Sequence, residues 1–334
     1  MTLAIGRHAL PGRVLLAPMA GVTDPPFRDL CTKFGAALAC GEMLSADQTL
    51  WHTAKSARRT ASAAPATGTV AVQLAGSDPE QLAAAARCQA DAGAQIIDLN
   101  LGCPAKKVCN RLCGSALLGD EELVARIFDA LVRAVELPVT VKIRTGPDPS
   151  RRNATRIARL AEQSGIAAIA VHGRTRADRF AGSAEYETIR AVKSAVRMPV
   201  IANGDVTSPQ QARNVLAVTG ADAVMIGRAA LGAPWIFRDV NAFLDAKKIP
   251  SPLLRASITA IILQHLESLY AFYGEYTGIR MARKHLGRYC ELHETTRAAR
   301  AGLLAAGDSA SQYALAQGVF EGWATAMDRE ELQR

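Results

Sequence analysis

Short runs of Val, Ile, Leu and Ala recur along this chain. Each is followed by a stretch with helical spacing, and glycine or proline punctuates the joins. The apolar runs fall at 14–17, 37–40, 70–74, 96–100, 139–144, 168–172, 200–203 and 223–226. The helical stretches fall at 25–34, 79–92, 121–135, 152–164, 186–196, 209–218 and 234–244. Continuous apolar strands joined by crossovers imply a parallel sheet covered on its outer side. Eight such units predict an α/β chain closed as a (β/α)₈ TIM barrel. A doubly wound open sheet is the runner-up, and no Gly-x-Gly-x-x-Gly follows the first strand to support it. After Ile249-Pro250-Ser251-Pro252 the pattern changes to amphipathic helical stretches such as 258–273 and 279–292. The expected organisation is a barrel domain over 1–248 and a small C-terminal helical bundle over 249–334.

Composition narrows the class. Of 334 residues, 49% are hydrophobic and only 5% aromatic, so small aliphatic side chains fill the core. No run of about 18 apolar residues is present, so no membrane span is expected. Residues 1–11 lack the zones of a signal peptide, which points to the cytoplasm. Seven cysteines without a Cys-x-x-Cys pair do not read as a disulfide framework. The spacing of Cys103, Cys109 and Cys113 matches no common ligand pattern, so no metal is expected. The net charge of +8 suits a polyanionic partner. A monomer is expected.

In barrels of this kind the site lies at the carboxyl ends of the strands. Read in order, those ends carry Pro18-Met19-Ala20-Gly21, Glu42, Gln73, Asn100 with Cys103, Lys142 with Arg144, His172, Asn203-Gly204-Asp205 and Gly227-Arg228. Each has an ordinary structural reading: a buried thiol, a snorkelling lysine, a satisfied core histidine, a turn glycine. Their occurrence in one ring favours function. Cys103 sits on a Gly-Cys-Pro turn that stops the chain from continuing into a regular element. The loops after strands seven and eight commonly hold a phosphate; here they are Asn203-Gly204-Asp205 and Gly227-Arg228. Gln73 offers a donor and an acceptor to a planar heterocycle, and Lys142 and His172 offer positive charge to an electron-rich ring. That donor set suits FMN.

At this point the residues carry a resemblance. Pro18-Met19-Ala20-Gly21-Val22-Thr23-Asp24, Asn100-Leu101-Gly102-Cys103-Pro104-Ala105-Lys106-Lys107-Val108, Lys142-Ile143-Arg144-Thr145-Gly146, Val171-His172-Gly173-Arg174-Thr175 and Ala202-Asn203-Gly204-Asp205 resemble the signature segments of the tRNA-dihydrouridine synthases, in particular the bacterial B-type branch. The resemblance extends to Arg280-Met281-Ala282-Arg283-Lys284-His285 in the tail. It implies an FMN enzyme that uses NADPH to reduce the C5–C6 double bond of selected uridines in tRNA, in the D-loop, with hydride from flavin N5. It also implies that Pro18, Met19, Ala20, Gln73, Lys142, His172, Asn203, Gly204, Asp205, Gly227 and Arg228 hold FMN, and that Cys103 donates the proton. A thiol of ordinary pKa, ~8.5, stays mostly protonated at neutral pH and can act as a general acid.

For substrate, Asn100 and Arg144 are the candidates to hold the uracil edge. Lys106, Lys107, Arg111, Arg174 and Arg176 are expected near the barrel mouth, and Arg280, Arg283, Lys284 and Arg288 share one helix face by their spacing. Cys109 and Cys113 depart from the family pattern and could pair with Cys103 under oxidation. Pro147 departs where relatives often carry an aromatic residue. Three other readings stand beside this one: an FMN barrel acting on a free pyrimidine, a Schiff-base aldolase using Lys142, and a non-catalytic RNA-binding barrel.

Overall fold

The computed structural model describes residues 2–60, 68–105 and 113–331. Contacts divide the chain into two compact units. One comprises 1–227 and 236–248, the other 228–235 and 249–334. The sequence reading has one crossing between domains, at 248/249; the chain makes three.

The first unit begins with a hairpin of β1 (Leu3–Ile5) and β2 (His8–Leu10), which the sequence reading missed. Eight parallel strands follow: β3 (Val14–Leu16), β4 (Leu44–Ser45), β5 (Ala71–Ala75), β6 (Ile96–Leu101), β7 (Val139–Arg144), β8 (Ala168–His172), β9 (Val200–Asn203) and β10 (Ala223–Ile226). They hydrogen-bond in the order β3-β10-β9-β8-β7-β6-β5-β4. Residues 37–41 close the ring. Ala37 N donates to Val14 O and Leu16 N to Leu38 O, Leu16 bridges Ala39, and Gly41 N donates to Ala71 O on the other side. The expected strand over 37–40 is therefore one bridging residue, not a regular strand. The chain bends away at Gly41, where a Cβ would come 3.3 Å from Arg28 Nη1, and rejoins the sheet only at Leu44. The other seven strands lie within a residue or so of their expected positions.

Outside the sheet, the helices Pro79–Asp91, Glu121–Ala134, Ala154–Gln163, Glu187–Ala195, Pro209–Thr219 and Ile236–Ala246 pack each against the next. Three barrel helices start as their sequence suggests, with proline in the first turn and a capping side chain before it. Asp24 accepts from Phe27 N, Asp78 from Gln81 N and Ser208 from Gln211 N.

Strand side chains alternate between the helix layer and the barrel interior. The floor of the interior is apolar: Leu15, Ala71, Ile96, Ala168, Ile201 and Ala223, sealed by Leu3, Ile5 and Leu10 of the hairpin. Full burial of each leucine or isoleucine among them contributes roughly 1.5–3 kcal/mol. The hairpin turns at Gly6, with φ +54°; a Cβ there would lie 2.4 Å from Pro138 Cγ. One and two steps further along the strands the inward positions turn polar: Gln73, Asp98 and Asn100, Thr140, Lys142 and Arg144, His172, and Asn203. This gradient places the site at the carboxyl ends.

The second unit is helical: Arg255–Tyr273, Glu275–Tyr289, Glu294–Ala298, Arg300–Ala305 and Ser309–Glu331. Its core contains Ile262, Leu266, Leu269, Leu286, Tyr289, Phe320 and Trp323, with Trp235 packed on it. No helix among the described residues is long and apolar enough to cross a membrane.

Candidate active site

The Cys103 turn is held by side chains from three strands. Asn100, at the inward face of β6, accepts at Oδ1 from Gly102 N at 3.1 Å and Cys103 N at 2.9 Å. Its Nδ2 donates to Gln73 Oε1 at 2.7 Å. Gln73 Nε2 donates to Asp98 Oδ2 at 2.7 Å, and Thr140 Oγ1 donates to Asp98 Oδ1 at 2.6 Å. On the following segment, Ser115 N and Oγ both donate to Cys103 O. The thiol itself is only partly buried.

Beside this turn stands a half-buried lysine. Lys142 Nζ donates to Asn203 Oδ1 at 3.0 Å, while Asn203 Nδ2 donates to Met225 O at 2.8 Å. Burial, aided by the Arg144 charge, lowers the Lys142 pKa to about 8; Asp98, Cys103 and Cys40 pull the other way. His172 is register-paired with Asn203 across β8 and β9. Gly204 has φ +129°. A Cβ there would approach Ala184 Cβ to 2.6 Å and His172 Cδ2 to 3.2 Å, so only glycine fits this close turn. Tyr186 Oη donates to Gly204 O at 2.9 Å.

The first loop is also pinned. Met19 N donates to Thr23 Oγ1, and Val22 N and Thr23 N both donate to Met19 O. Gly21 N donates to Glu42 Oε2 at 2.7 Å, and the same carboxylate pairs with Arg59. Among the described residues, a Cβ at Gly227 would meet Ala17 Cβ at 3.7 Å and Met19 Sδ at 3.8 Å.

Several expected residues do other work. Arg144, expected to hold the uracil edge, is 1% exposed. Its Nε donates to Gly102 O at 2.7 Å, and its Nη1 to Thr175 O at 3.0 Å and Arg179 O at 2.6 Å. It clamps two loops together. Arg174, expected at the mouth, is buried. It pairs with both Asp205 oxygens at 3.0 and 2.7 Å and donates to Ala181 O and Gly182 O. Asp205 also accepts from Ala184 N at 2.7 Å, so it acts in this structure as a loop lock. Arg228 is exposed and opens a short turn that is grouped with the helical unit. Arg176 is exposed. In the tail, Arg280, Lys284 and Arg288 are exposed, whereas Arg283 is half-buried and donates to Ala306 O at 2.9 Å. Arg283 thus leaves the stripe that spacing assigned to it. Lys106, Lys107, Arg111 and Cys109 lie outside the described residues. Cys113 Sγ is 3.8 Å from Ser77 Oγ.

Sequence reasoning missed Asp98, Thr140 and Phe180. The signal for Asp98 was there: a charged residue inside a buried strand, in phase with Asn100. Phe180 is 56% exposed, on the loop after β8, with the Arg144 guanidinium 5.3 Å and the His172 ring 6.4 Å from its ring centre.

This arrangement matches a known group of proteins. The sequence model of the family described as dihydrouridine synthase (Dus) matches residues 15–320. The chain belongs to the dihydrouridine synthase family. It is 53% identical over 319 residues to a tRNA-dihydrouridine synthase B of Xanthomonas axonopodis pv. citri (strain 306), covering 96% of each chain. It is 49% identical over 331 residues to one of Pseudomonas putida, covering 98% of this chain and 97% of that one. Among solved structures, histamine dehydrogenase from Rhizobium sp. 4-9 aligns with a TM-score of 0.56 at 14% identity. That alignment covers 80% of this chain and half of the other, a likeness of fold. Membership makes the chain a flavin-dependent oxidoreductase and its barrel a dihydrouridine synthase barrel.

The donor set fits the flavin of this family. Among the described residues the upper barrel presents the Lys142 ammonium, the Gln73 and Asn203 amides, the His172 imidazole and the close Gly204 turn. That chemistry suits a heterocycle that gains negative charge on reduction and carries a phosphate.

Proposed function

We propose that this dihydrouridine synthase reduces the C5–C6 double bond of specific uridines in tRNA, in the D-loop, to 5,6-dihydrouridine, with FMN as cofactor and NADPH as reductant, in the cytoplasm. The observation that carries the reading is the Cys103 turn, fixed by Asn100 and Arg144 beside the Lys142–Asn203 pair at the mouth of a polar barrel end.

FMN would be held by the Pro18-Met19-Ala20 turn, Gln73, Lys142, His172, Asn203, Gly204 and Gly227; when bound, it supplies hydride to C6 of the uracil. Lys142 Nζ holds positive charge toward the ring system at neutral pH. Asn203 fixes that ammonium in place. Gln73 already uses one amide hydrogen and one lone pair within the protein, which leaves one of each for a ligand. Cys103 Sγ carries the proton that C5 of the substrate needs, and the Asn100 and Ser115 contacts keep the thiol from drifting. Asp205 acts through Arg174 by locking the loops around Gly204.

A uridine inside folded tRNA must leave its stack to reach this end of the barrel. Phe180 gives an exposed aromatic face for a base, and Arg176 nearby in sequence gives a phosphate contact. On the helical unit, Arg280, Lys284 and Arg288 form an exposed basic stripe suited to the backbone. The test is incubation of FMN-loaded protein with NADPH and unmodified tRNA, followed by nucleoside mass spectrometry. Dihydrouridine forms in tRNA, and free uracil is not reduced to dihydrouracil. Reduction of free uracil at an equal rate would move the protein to the free-pyrimidine reading, and NADH in place of NADPH reads the reductant preference.

A further inference from the structure

Asp98 is a carboxylate inside the barrel, 8% exposed, two residues before Asn100 on β6. It receives two hydrogen bonds, from Gln73 Nε2 and Thr140 Oγ1, one on each oxygen. An ionised carboxylate can only accept. Gln73 must therefore present its NH₂ end to Asp98, which turns its carbonyl to Asn100. Asn100 must then present its own NH₂ to Gln73, and its carbonyl is left for Gly102 N and Cys103 N. Reversing either amide would set NH₂ against N–H at the next link. The direction of the whole series is fixed at one end.

We infer that Asp98 is a positioning residue, whose oxygen accepting from Gln73 Nε2 sets the direction of a relay through Gln73 and Asn100 to the Cys103 turn. Burial raises the carboxyl pKa above its ordinary value, against the hydrogen bonds from Thr140 and Gln73 and the Lys142 charge, and in either protonation state one oxygen accepts from Gln73 Nε2. Its catalytic consequence rests on Cys103 as the proton donor; the relay itself does not. Loss of Asp98 frees Gln73 to flip and releases the Gly102 and Cys103 amides. A neutral amide at position 98 can still point its oxygen at Gln73 and its NH₂ at the Thr140 hydroxyl, which turns to accept.

The test uses FMN-loaded protein and three readouts: hydrogen exchange at the Gly102 and Cys103 amides, iodoacetamide alkylation of Cys103 followed on its peptide, and tRNA-dependent oxidation of the NADPH-reduced protein. In Asp98→Leu, exchange at both amides and alkylation of Cys103 should each rise about tenfold, with alkylation of the exposed Cys88 unchanged, and tRNA-dependent oxidation should slow about tenfold. Asp98→Asn should return all three to within about threefold of wild type. Wild-type values in Asp98→Leu, or equal damage in Asp98→Asn, would overturn the inference. If Asp98→Leu does not fold, the wild type still decides it: the relay requires protected amides at Gly102 and Cys103, and exchange as fast as at exposed Ala105 would overturn it. If wild-type protein reduces no tRNA, the proposed function fails, while exchange and alkylation still judge Asp98.

Discussion

Lys142 shows how one residue can be placed for function against stability. Burial holds its pKa near 8, below the ordinary lysine value of 10.5. Below pH 8 the folded protein keeps the ammonium charged and bears its desolvation. Between pH 8 and 10.5 the unfolded chain binds more protons than the folded one, so this destabilising contribution shrinks as pH rises. Lys142→Met should therefore raise unfolding free energy at pH 7, by about 1 kcal/mol, in denaturant melts of the protein freed of flavin. The same variant should bind FMN at least about tenfold more weakly in fluorescence titrations. In the wild type, FMN affinity should fall as pH rises through about 8. Gly204 is the second sensitive residue. Gly204→Ala combines a positive φ with a Cβ 2.6 Å from Ala184, and should cost about 1–3 kcal/mol in thermal melts together with FMN retention.

At the scale of elements, the loops are tied by buried arginines. Arg144 joins the Cys103 turn to the loop after β8, and Arg174 joins that loop to the one after β9. Arg144→Met leaves three carbonyls without their charged donor. It should destabilise the fold by about 2–4 kcal/mol and loosen the Cys103 turn, read by denaturant melts and by peptide-level hydrogen exchange over 102–105. The helical unit carries a different sensitivity. His265 and His285 are buried with ring centres 4.6 Å apart, and His265 Nδ1 lies 3.0 Å from Tyr289 Oη. Burial, with the Lys284 charge, pushes His285 down to about 3; burial, with His285, pushes His265 well below its usual value. Both are neutral when folded and protonate readily when unfolded. Stability is fully present above about pH 6.5 and declines as pH falls from there towards 3. Circular dichroism melts of the helical signal at pH 7.5 and 5.5 should show a drop that His285→Leu reduces.

For the whole molecule, the alternation of apolar runs and helical stretches made the barrel legible, because strands apolar on both faces fit few other architectures. The second strand was not legible. An apolar run at 37–40 says nothing of the bend at Gly41, where Arg28 from an earlier helix packs within 3.3 Å of where a Cβ would stand. Strand-end residues such as Gln73, Lys142 and Asn203 were legible because register follows from parity. Arg174 and Arg144 were not, because their partners come from loops far along the chain, and a loop arginine reads alike whether it faces phosphate or Asp205. Arg283 had the right spacing for the basic stripe, but only packing shows that it turns to Ala306.

In the proposed function Cys103 supplies the substrate proton while the barrel residues serve the cofactor. The most direct measurement follows Cys103→Ala, loaded with FMN, through the two halves of the reaction under anaerobic conditions. Reduction by NADPH should stay at the wild-type rate, and oxidation by unmodified tRNA should slow by about 10²-fold or more. Dihydrouridine formation at the wild-type rate in that variant would mean that the proton comes from another group.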